Sequence, residues 1–211
     1  MIAVVDLKIS NLASVIQALR LVGAADHEFA SPSGIARAEA IILPGVGAYG
    51  DGMASLREQR LIEPIRAAAA RGTPVFGICL GMQLLAESST EFGIHEGLGL
   101  VPGAVERLES SQPGYRVPNI GWCDVTPTRR GVLFPDAKGG CFYHVHSYHF
   151  VPRDKGVIAA SIRFGSGDIA VAIEKQNLLG VQFHAEKSQD DGLQVLSNFL
   201  EYVRGRKTAS R

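Results

Sequence analysis

A cysteine at position 79 stands between two glycines, in the order Gly77-Ile78-Cys79-Leu80-Gly81, after an apolar run and before a stretch that can form a helix. This is the spacing of a nucleophile elbow, in which a sharp, strained turn lifts the nucleophile above a sheet. The glycines remove Cβ atoms that would clash in such a turn. The backbone N–H of Leu80 would then face an oxyanion. Because a helix N-terminus stabilises negative charge, the pattern favours a reactive thiolate over the alternative, a small buried thiol.

A thiol with an ordinary pKa of about 8.5 needs a base or a positive neighbour at neutral pH, and the chain offers six histidines. His184 is the best placed, because it follows the apolar run 178–183 at the edge where α/β sheets hold their sites. In an extended segment, Glu186 points to the same side and can fix the imidazole tautomer. The alternatives are a histidine bonded to backbone and a solvated glutamate. The spacing favours a triad of Cys79, His184 and Glu186 for acyl transfer.

The elements that must position these residues alternate between strand and helix patterns in the first half of the chain. Apolar runs at 2–6, 40–43 and 75–78 are separated by helical periodicity at 12–22 and 53–70. This order predicts an α/β fold, with a mostly parallel central sheet covered by helices on both faces.

From about residue 100 the apolar runs become shorter and closer together, which predicts added antiparallel strands. These runs are 122–126, 140–150, 157–164, 169–174 and 178–183. A last helix is predicted over 189–204, with Ser188 and Asp191 spaced as a capping box. Residues 1–204 are expected to form a single domain and 205–211 a flexible tail.

Composition excludes several classes of partner. Lys plus Arg and Asp plus Glu each number 21, so nothing steers the protein towards nucleic acid. No apolar run approaches the roughly 18 residues of a membrane span, and the first residues have the pattern of a strand rather than a signal peptide. Three cysteines without close spacing suit free thiols. We therefore expect a cytoplasmic protein with no membrane or nucleic-acid partner.

Five motifs resemble those of a known family. The strings GICLGMQ at 77–83 and QFHAEKS at 182–188 are similar to the two signatures of class I, triad-type glutamine amidotransferases. The strings LPGVG at 43–47, DGM at 51–53 and VHSY at 145–148 further resemble the glutaminase subunits of imidazole glycerol phosphate synthases. The resemblance implies a flavodoxin-like fold that needs no cofactor and no metal.

The same resemblance implies a reaction and a partner. Cys79 would attack the side-chain amide carbon of glutamine, form a glutamyl thioester and release ammonia. A cyclase subunit with a TIM-barrel fold would receive the ammonia within a heterodimer. That partner would make imidazole glycerol phosphate and AICAR in histidine biosynthesis.

The family's functional positions map onto further residues of this chain. Val46, Gly47 and Leu80 match the oxyanion hole. Positions that hold glutamine match Gly47, Gln83, Glu91, Ser147 and Tyr148. Positions that touch the cyclase match Asn11, Trp122, Tyr143 and Lys187. Without the resemblance, Gln83 would be interpreted as an exposed helix residue.

The chain also departs from the family pattern. The turn at 7–11 keeps only Asn11, while Asn119, Cys123, His144 and Ala185 replace other residue types. A paralogous subunit that feeds ammonia to a different synthase therefore remains an alternative. So do a stand-alone cysteine hydrolase, a catalytically silent binding subunit, and a metal site at His144 and His146, which share a strand face.

Overall fold

The computed structural model describes residues 1–9, 12–24, 26–109 and 112–209. The strands are β1 (Ile2–Val4), β2 (His27–Phe29), β3 (Ala40–Gly45), β4 (Val75–Cys79), β5 (Ser88–Ser89), β6 (His95–Glu96), β7 (Gly103–Arg107), β8 (Asn119–Pro127), β9 (Gly140–His146), β10 (Tyr148–Pro152), β11 (Ile158–Phe164), β12 (Gly167–Lys175) and β13 (Leu178–Val181). The helices are α1 (Leu12–Leu21), α2 (Pro32–Arg37), α3 (Tyr49–Glu58), α4 (Ile62–Ala70), α5 (Leu80–Leu84) and α6 (Gln189–Ala209). Short 3-10 helices cover Lys155–Val157 and Ala185–Lys187.

Nine of these strands form one mixed sheet, in the order β2-β1-β3-β4-β13-β12-β11-β8-β9. The strands from β2 to β13 in this order pair in parallel, and those from β13 to β9 pair antiparallel. This division confirms the predicted parallel half and antiparallel addition. A second sheet, in the order β10-β7-β5-β6, was not predicted.

Two hydrophobic cores cover the two faces of the large sheet. Strand alternation sends Ile42 into one core, and Ile41 and Leu43 into the other. Helices α1 and α6 contribute to the first core, where Phe76 of β4 stacks on Phe199 of α6 with ring centroids 4.9 Å apart. Helices α3 and α4 contribute to the second. Both faces are therefore covered, as the near-continuous apolar strands indicate.

The helical stretch predicted over 53–70 is two helices. Arg60 has a φ of 57° between α3 and α4, and the N–H of Leu61 bonds the carbonyl of Leu56 at 2.9 Å. This is a Schellman-type ending, in which one left-handed residue stops the helix. Within the described residues, no helix is both long and apolar enough to cross a membrane.

The predicted capping box at the start of α6 is wrong. The Ser188 hydroxyl donates to the carbonyl of His184 at 2.6 Å and accepts from the N–H of Tyr143 at 2.9 Å. Asp191 accepts from the N–H of Cys141 at 2.8 Å. Both side chains thus join α6 to β9. The helix also runs beyond 204 to Ala209; the single domain and the flexible tail stay predictions.

Candidate active site

The register of the parallel strands brings the predicted nucleophile and base to one edge of the sheet. Gly45, the last residue of β3, lies opposite Cys79, the last residue of β4. On the other side of β4, Val181 ends β13 opposite Ile78, and the chain then continues to His184. Carboxyl ends of neighbouring parallel strands are where α/β folds place their sites.

The turn at Cys79 is a strained elbow, as predicted. Cys79 has a φ of 53° and a ψ of −112°, a conformation that costs energy for any residue with a side chain. A Cβ at Gly77 would lie 2.5 Å from the backbone nitrogen of Met82, and one at Gly81 would overlap the carbonyl oxygen of Leu43. Both positions therefore require glycine, because the backbone itself fills the space.

His184 and Glu186 form the predicted pair. The Nδ1 of His184 lies 2.7 Å from Oε1 of Glu186, and both side chains are almost fully buried. The segment is not extended, however, because Ala185–Lys187 forms a 3-10 turn. Glu186 thus reaches the imidazole from a turn, and the argument from strand alternation was wrong although the contact it predicted is present.

The remaining nitrogen of His184 is available to Cys79. Nε2 is buried and makes no hydrogen bond to nitrogen or oxygen within the described residues. Burial lowers the pKa of His184, but its contacts with Cys79 and Glu186, and the charges of both groups, outweigh burial and raise the pKa to about 10. The raised pKa favours a protonated imidazole, and a positive ring beside a thiol favours the nucleophilic thiolate.

Gln182 is a site residue that the sequence argument missed. Its Nε2 points at the Cys79 sulfur, 3.7 Å away, and its side chain is fully buried. Gln182 stands two residues before His184, which is the spacing that places side chains on one side of an extended segment. That spacing is the signal that could have found it.

A cavity of about 260 Å³ opens beside the triad. Its lining consists of Val46, Gly47, Cys79, Leu80, Gln83, Glu91, Pro118, Val145, His146, Ser147, Tyr148 and His184. Every residue predicted for the oxyanion hole or for glutamine binding is among them, although their roles stay predictions. Sequence reasoning assigned no role in this wall to Pro118, Val145 or His146.

Gln83 and Glu91 are held by bonds that only the tertiary structure shows. Gln83 is 5% exposed and donates to the carbonyl of Tyr148 at 2.9 Å and to Oε1 of Gln182 at 3.0 Å. Its interpretation as an exposed helix residue was therefore wrong. Oε2 of Glu91 accepts from the N–H of Tyr49 at 2.7 Å, at the first residue of α3. A carboxylate is favourable there because helix N-termini carry partial positive charge.

The hairpin β8–β9 presents an apolar face next to the cavity. Trp122 lies opposite Tyr143, with ring centroids 6.0 Å apart, and Ile120 lies opposite Val145. Ile120 is 61% and Trp122 49% exposed. Lys187, also predicted to contact a partner, is exposed, whereas Asn11 lies outside the described residues.

The histidines proposed as an alternative metal site lie on the opposite face of this hairpin. The Nδ1 of His144 is 3.2 Å from Nε2 of His146, so the two rings bond each other. In the part of the chain that the structure describes, no group of three or more His, Cys, Asp or Glu side chains could hold a metal ion.

A model of the class-I glutamine amidotransferase family matches residues 3–203. The chain belongs to this family. It is 47% identical over 204 residues to the imidazole glycerol phosphate synthase subunit HisH of Moorella thermoacetica, covering 96% of this chain and 95% of that protein. It is 42% identical over 206 residues to the subunit of the same name from Herpetosiphon aurantiacus, covering 98% and 96%.

Two solved structures share the fold. One crystal structure of a glutamine amidotransferase superposes with a TM-score of 0.74 at 21% identity, over 96% of this chain and 98% of that one. The structure of PurLQS from Thermotoga maritima also gives 0.74, at 23% identity and the same coverage. These likenesses confirm the predicted fold class.

Proposed function

We propose that this chain is the glutaminase subunit of an imidazole glycerol phosphate synthase. It hydrolyses glutamine to glutamate and ammonia, and a cyclase partner uses the ammonia to make imidazole glycerol phosphate and AICAR in histidine biosynthesis. The observation that carries the proposal is the strained Cys79 elbow beside the His184–Glu186 pair, at the wall of one cavity. Full-length relatives named as this synthase subunit favour it over a stand-alone hydrolase or a subunit of a different synthase.

In the first half-reaction the Cys79 thiolate attacks the side-chain amide carbon of glutamine. The carbonyl oxygen becomes an oxyanion, which the backbone N–H groups of Leu80 and Gly47 stabilise. His184 then gives its Nε2 proton to the departing nitrogen, so ammonia leaves and a glutamyl thioester remains. Glu186 keeps the imidazole oriented throughout, because it holds Nδ1.

In the second half-reaction a water molecule attacks the thioester. His184, now neutral, takes a proton from that water at Nε2. The second oxyanion uses the same backbone donors, and its collapse releases glutamate and restores the thiolate beside a protonated His184. Both halves thus use one imidazole, first as an acid and then as a base.

The cavity lining supports glutamine as the substrate. Among the described residues that line the cavity, Glu91 is the acidic one. We assign it to the α-ammonium group because a buried cation needs an opposite charge. Gln83 is locked to the Tyr148 carbonyl, which fixes one wall. Ser147 supplies a hydroxyl that can donate to the α-carboxylate.

The apolar face of the β8–β9 hairpin supports a cyclase with a TIM-barrel fold as the partner. The exposed Trp122 and Ile120 form an aromatic and aliphatic patch with the half-buried Tyr143, which is typical of interface centres. The patch adjoins Val145, which lines the cavity, so a partner there would lie next to the source of ammonia. A cytoplasmic location is part of the proposal, since all three cysteines are free thiols.

The test uses the complex of this chain with its cyclase. In that complex, Cys79→Ala should lower glutamine-dependent synthesis by about 10⁴-fold or more, while synthesis with ammonium chloride stays unchanged. Cys141→Ala, which removes another free thiol, is the matched control and should keep both activities. Loss of the ammonium-dependent activity in Cys79→Ala, or its retention of glutaminase, would contradict the proposal.

A further inference from the structure

The second strand of the β8–β9 hairpin carries two buried histidines. His144 is 0% exposed and His146 is almost as buried. The Nδ1 of His144 lies 3.2 Å from Nε2 of His146, and Nδ1 of His146 lies 3.0 Å from the carbonyl oxygen of Tyr148. This chain of bonds leads from the interior to the cavity wall, because His146 and Tyr148 line the cavity and His144 does not.

The acceptor at the end of this series of hydrogen bonds determines which ring nitrogen carries each proton. A carbonyl oxygen only accepts, so the Nδ1 of His146 donates to Tyr148. Burial, and to a lesser degree the nearby His149 and His184, lower the pKa of His146 to about 4 against the opposing effect of the Tyr148 bond. Neutral His146 therefore has an unprotonated Nε2, which accepts.

His144 is the donor to that nitrogen. Burial first, and then the charges of His146 and His184, lower the pKa of His144 to about 3, so its ring is neutral and its single proton lies on Nδ1. The Nε2 of His144 makes no hydrogen bond in the described part of the chain. The ring of Phe183 packs against the His144 ring, with centroids 5.8 Å apart. The hydrogen bond of the His144 ring is therefore the one to His146.

Asn119 is the other group that can reach His146, and it is less well placed. Its Nδ2 lies 3.3 Å from Nε2 of His146 and also 3.8 Å from the sulfur of Cys123. Both groups can donate to Nε2 of His146, and the contact from His144 is the shorter of the two.

The end of the chain of bonds is a shared acceptor. The Tyr148 carbonyl receives Nδ1–H of His146 and, at 2.9 Å, Nε2–H of Gln83. Gln83 belongs to α5, the helix that begins next to Cys79. The carbonyl therefore joins the β9–β10 turn, which carries Ser147, to the nucleophile helix.

We propose that His144 is a positioning residue of the glutaminase site: its Nδ1–H holds His146 as the Nδ1-protonated tautomer, and His146 fixes the Tyr148 carbonyl and with it the wall of the glutamine cavity. The kinetic part of this inference rests on the proposed glutaminase function. The tautomer part does not.

The experiment measures ring tautomers and kinetics in the same set of proteins. ¹⁵N NMR of the histidine rings in the wild-type chain at pH 7.5 should show His144 and His146 both protonated at Nδ1. In complex with the cyclase, His144→Phe should raise KM for glutamine about 5- to 10-fold, the effect of one net hydrogen bond, and change kcat less than about threefold. His144→Asn, whose Nδ2 occupies the place of Nδ1, should restore KM and the His146 tautomer.

His149→Phe is the matched control. It removes a half-buried histidine on β10 that lies outside this chain of bonds. The ring of His149 is also neutral, because burial and then Lys155 lower its pKa to about 4. The KM of this variant should equal that of the wild type. An Nε2-protonated His146 in the wild type overturns the proposal whether or not any variant folds. An unchanged KM and His146 tautomer in His144→Phe also overturns it. A wild-type complex without glutaminase activity would instead refute the proposed function and leave the tautomer result standing.

Discussion

The strands of the elbow region and of the β8–β9 hairpin differ in how far their side chains are buried. At the elbow, all five residues of β4 are buried, and parallel neighbours flank the strand on both sides. The hairpin lies at the edge of the nine-stranded sheet; β8 alternates between half-buried and exposed side chains, and β9 has buried side chains at alternate positions. The elbow is thus determined by backbone packing, whereas the hairpin exposes side chains that can change without disturbing the core.

Three of the departures from the family pattern fall on the hairpin; the turn at 7–11 and Ala185 lie elsewhere. Asn119, Cys123 and His144 all lie on the hairpin, while the triad residues keep their types. A change at the elbow meets backbone atoms that cannot move. A change on the hairpin meets other side chains, as Asn119 meets His146, so new pairs of residues can replace old ones.

The largest effect should come from the charge that orients the base. Glu186→Gln removes the anion 2.7 Å from His184 Nδ1, so kcat for glutamine hydrolysis should fall by about 10²- to 10⁴-fold with little change in fold. Steady-state glutaminase assays of the complex check this, with the exposed Glu201→Gln as control. A loss of kcat below about threefold would contradict a role for Glu186 in orienting the catalytic histidine.

The stability of the same variant should also differ from that of the wild type in its dependence on pH. The folded-state pKa of His184 is raised from 6.5 to about 10, so the protonated ring stabilises the fold fully below about pH 6.5 and loses that contribution as pH rises through 10. The melting temperatures of wild type and Glu186→Gln should therefore converge between pH 7 and pH 10. Parallel curves over that range would contradict the assignment.

A smaller effect, on stability, should follow from filling the elbow. Gly81→Ala places a Cβ on the carbonyl oxygen of Leu43, so the free energy of unfolding should fall by about 3 kcal/mol. Gly167→Ala is the control, because open space surrounds that glycine and the change should stay within about 0.5 kcal/mol. Urea unfolding measures both. Equal stabilities would mean that the elbow backbone yields as easily as an exposed strand end.

The smallest effect concerns the exposed face of the hairpin. Trp122→Ala should leave the unfolding free energy of the isolated chain within about 1 kcal/mol but weaken binding of the cyclase by roughly 2 kcal/mol, about 30-fold. Phe29→Ala is the control, since Phe29 is 61% exposed on β2, at the far edge of the sheet. Calorimetric titration checks both. Equal affinities of the two variants would place the partner elsewhere.

Much of the fold could be predicted because its strands are apolar and its helices periodic. Strand β2 (His27–Phe29) was missed because it is short and polar and is held by pairing with β1. The two-residue strands β5 and β6 carry no pattern that a sequence could show. The break at Arg60 was also missed, because nothing in its residue type marks a left-handed conformation.

By itself, the sequence determined which residues could do the chemistry, because an elbow is local: two glycines, a cysteine and the start of a helix are neighbours in the chain. Only the tertiary structure decided what these residues face. The register of β4 against β3 and β13 sets Cys79 beside Gly45 and brings His184 near it, and the pairing of β8 with β9 buries His144 behind His146. Such contacts join residues that are distant in the chain, and they depend on the packing of the whole sheet.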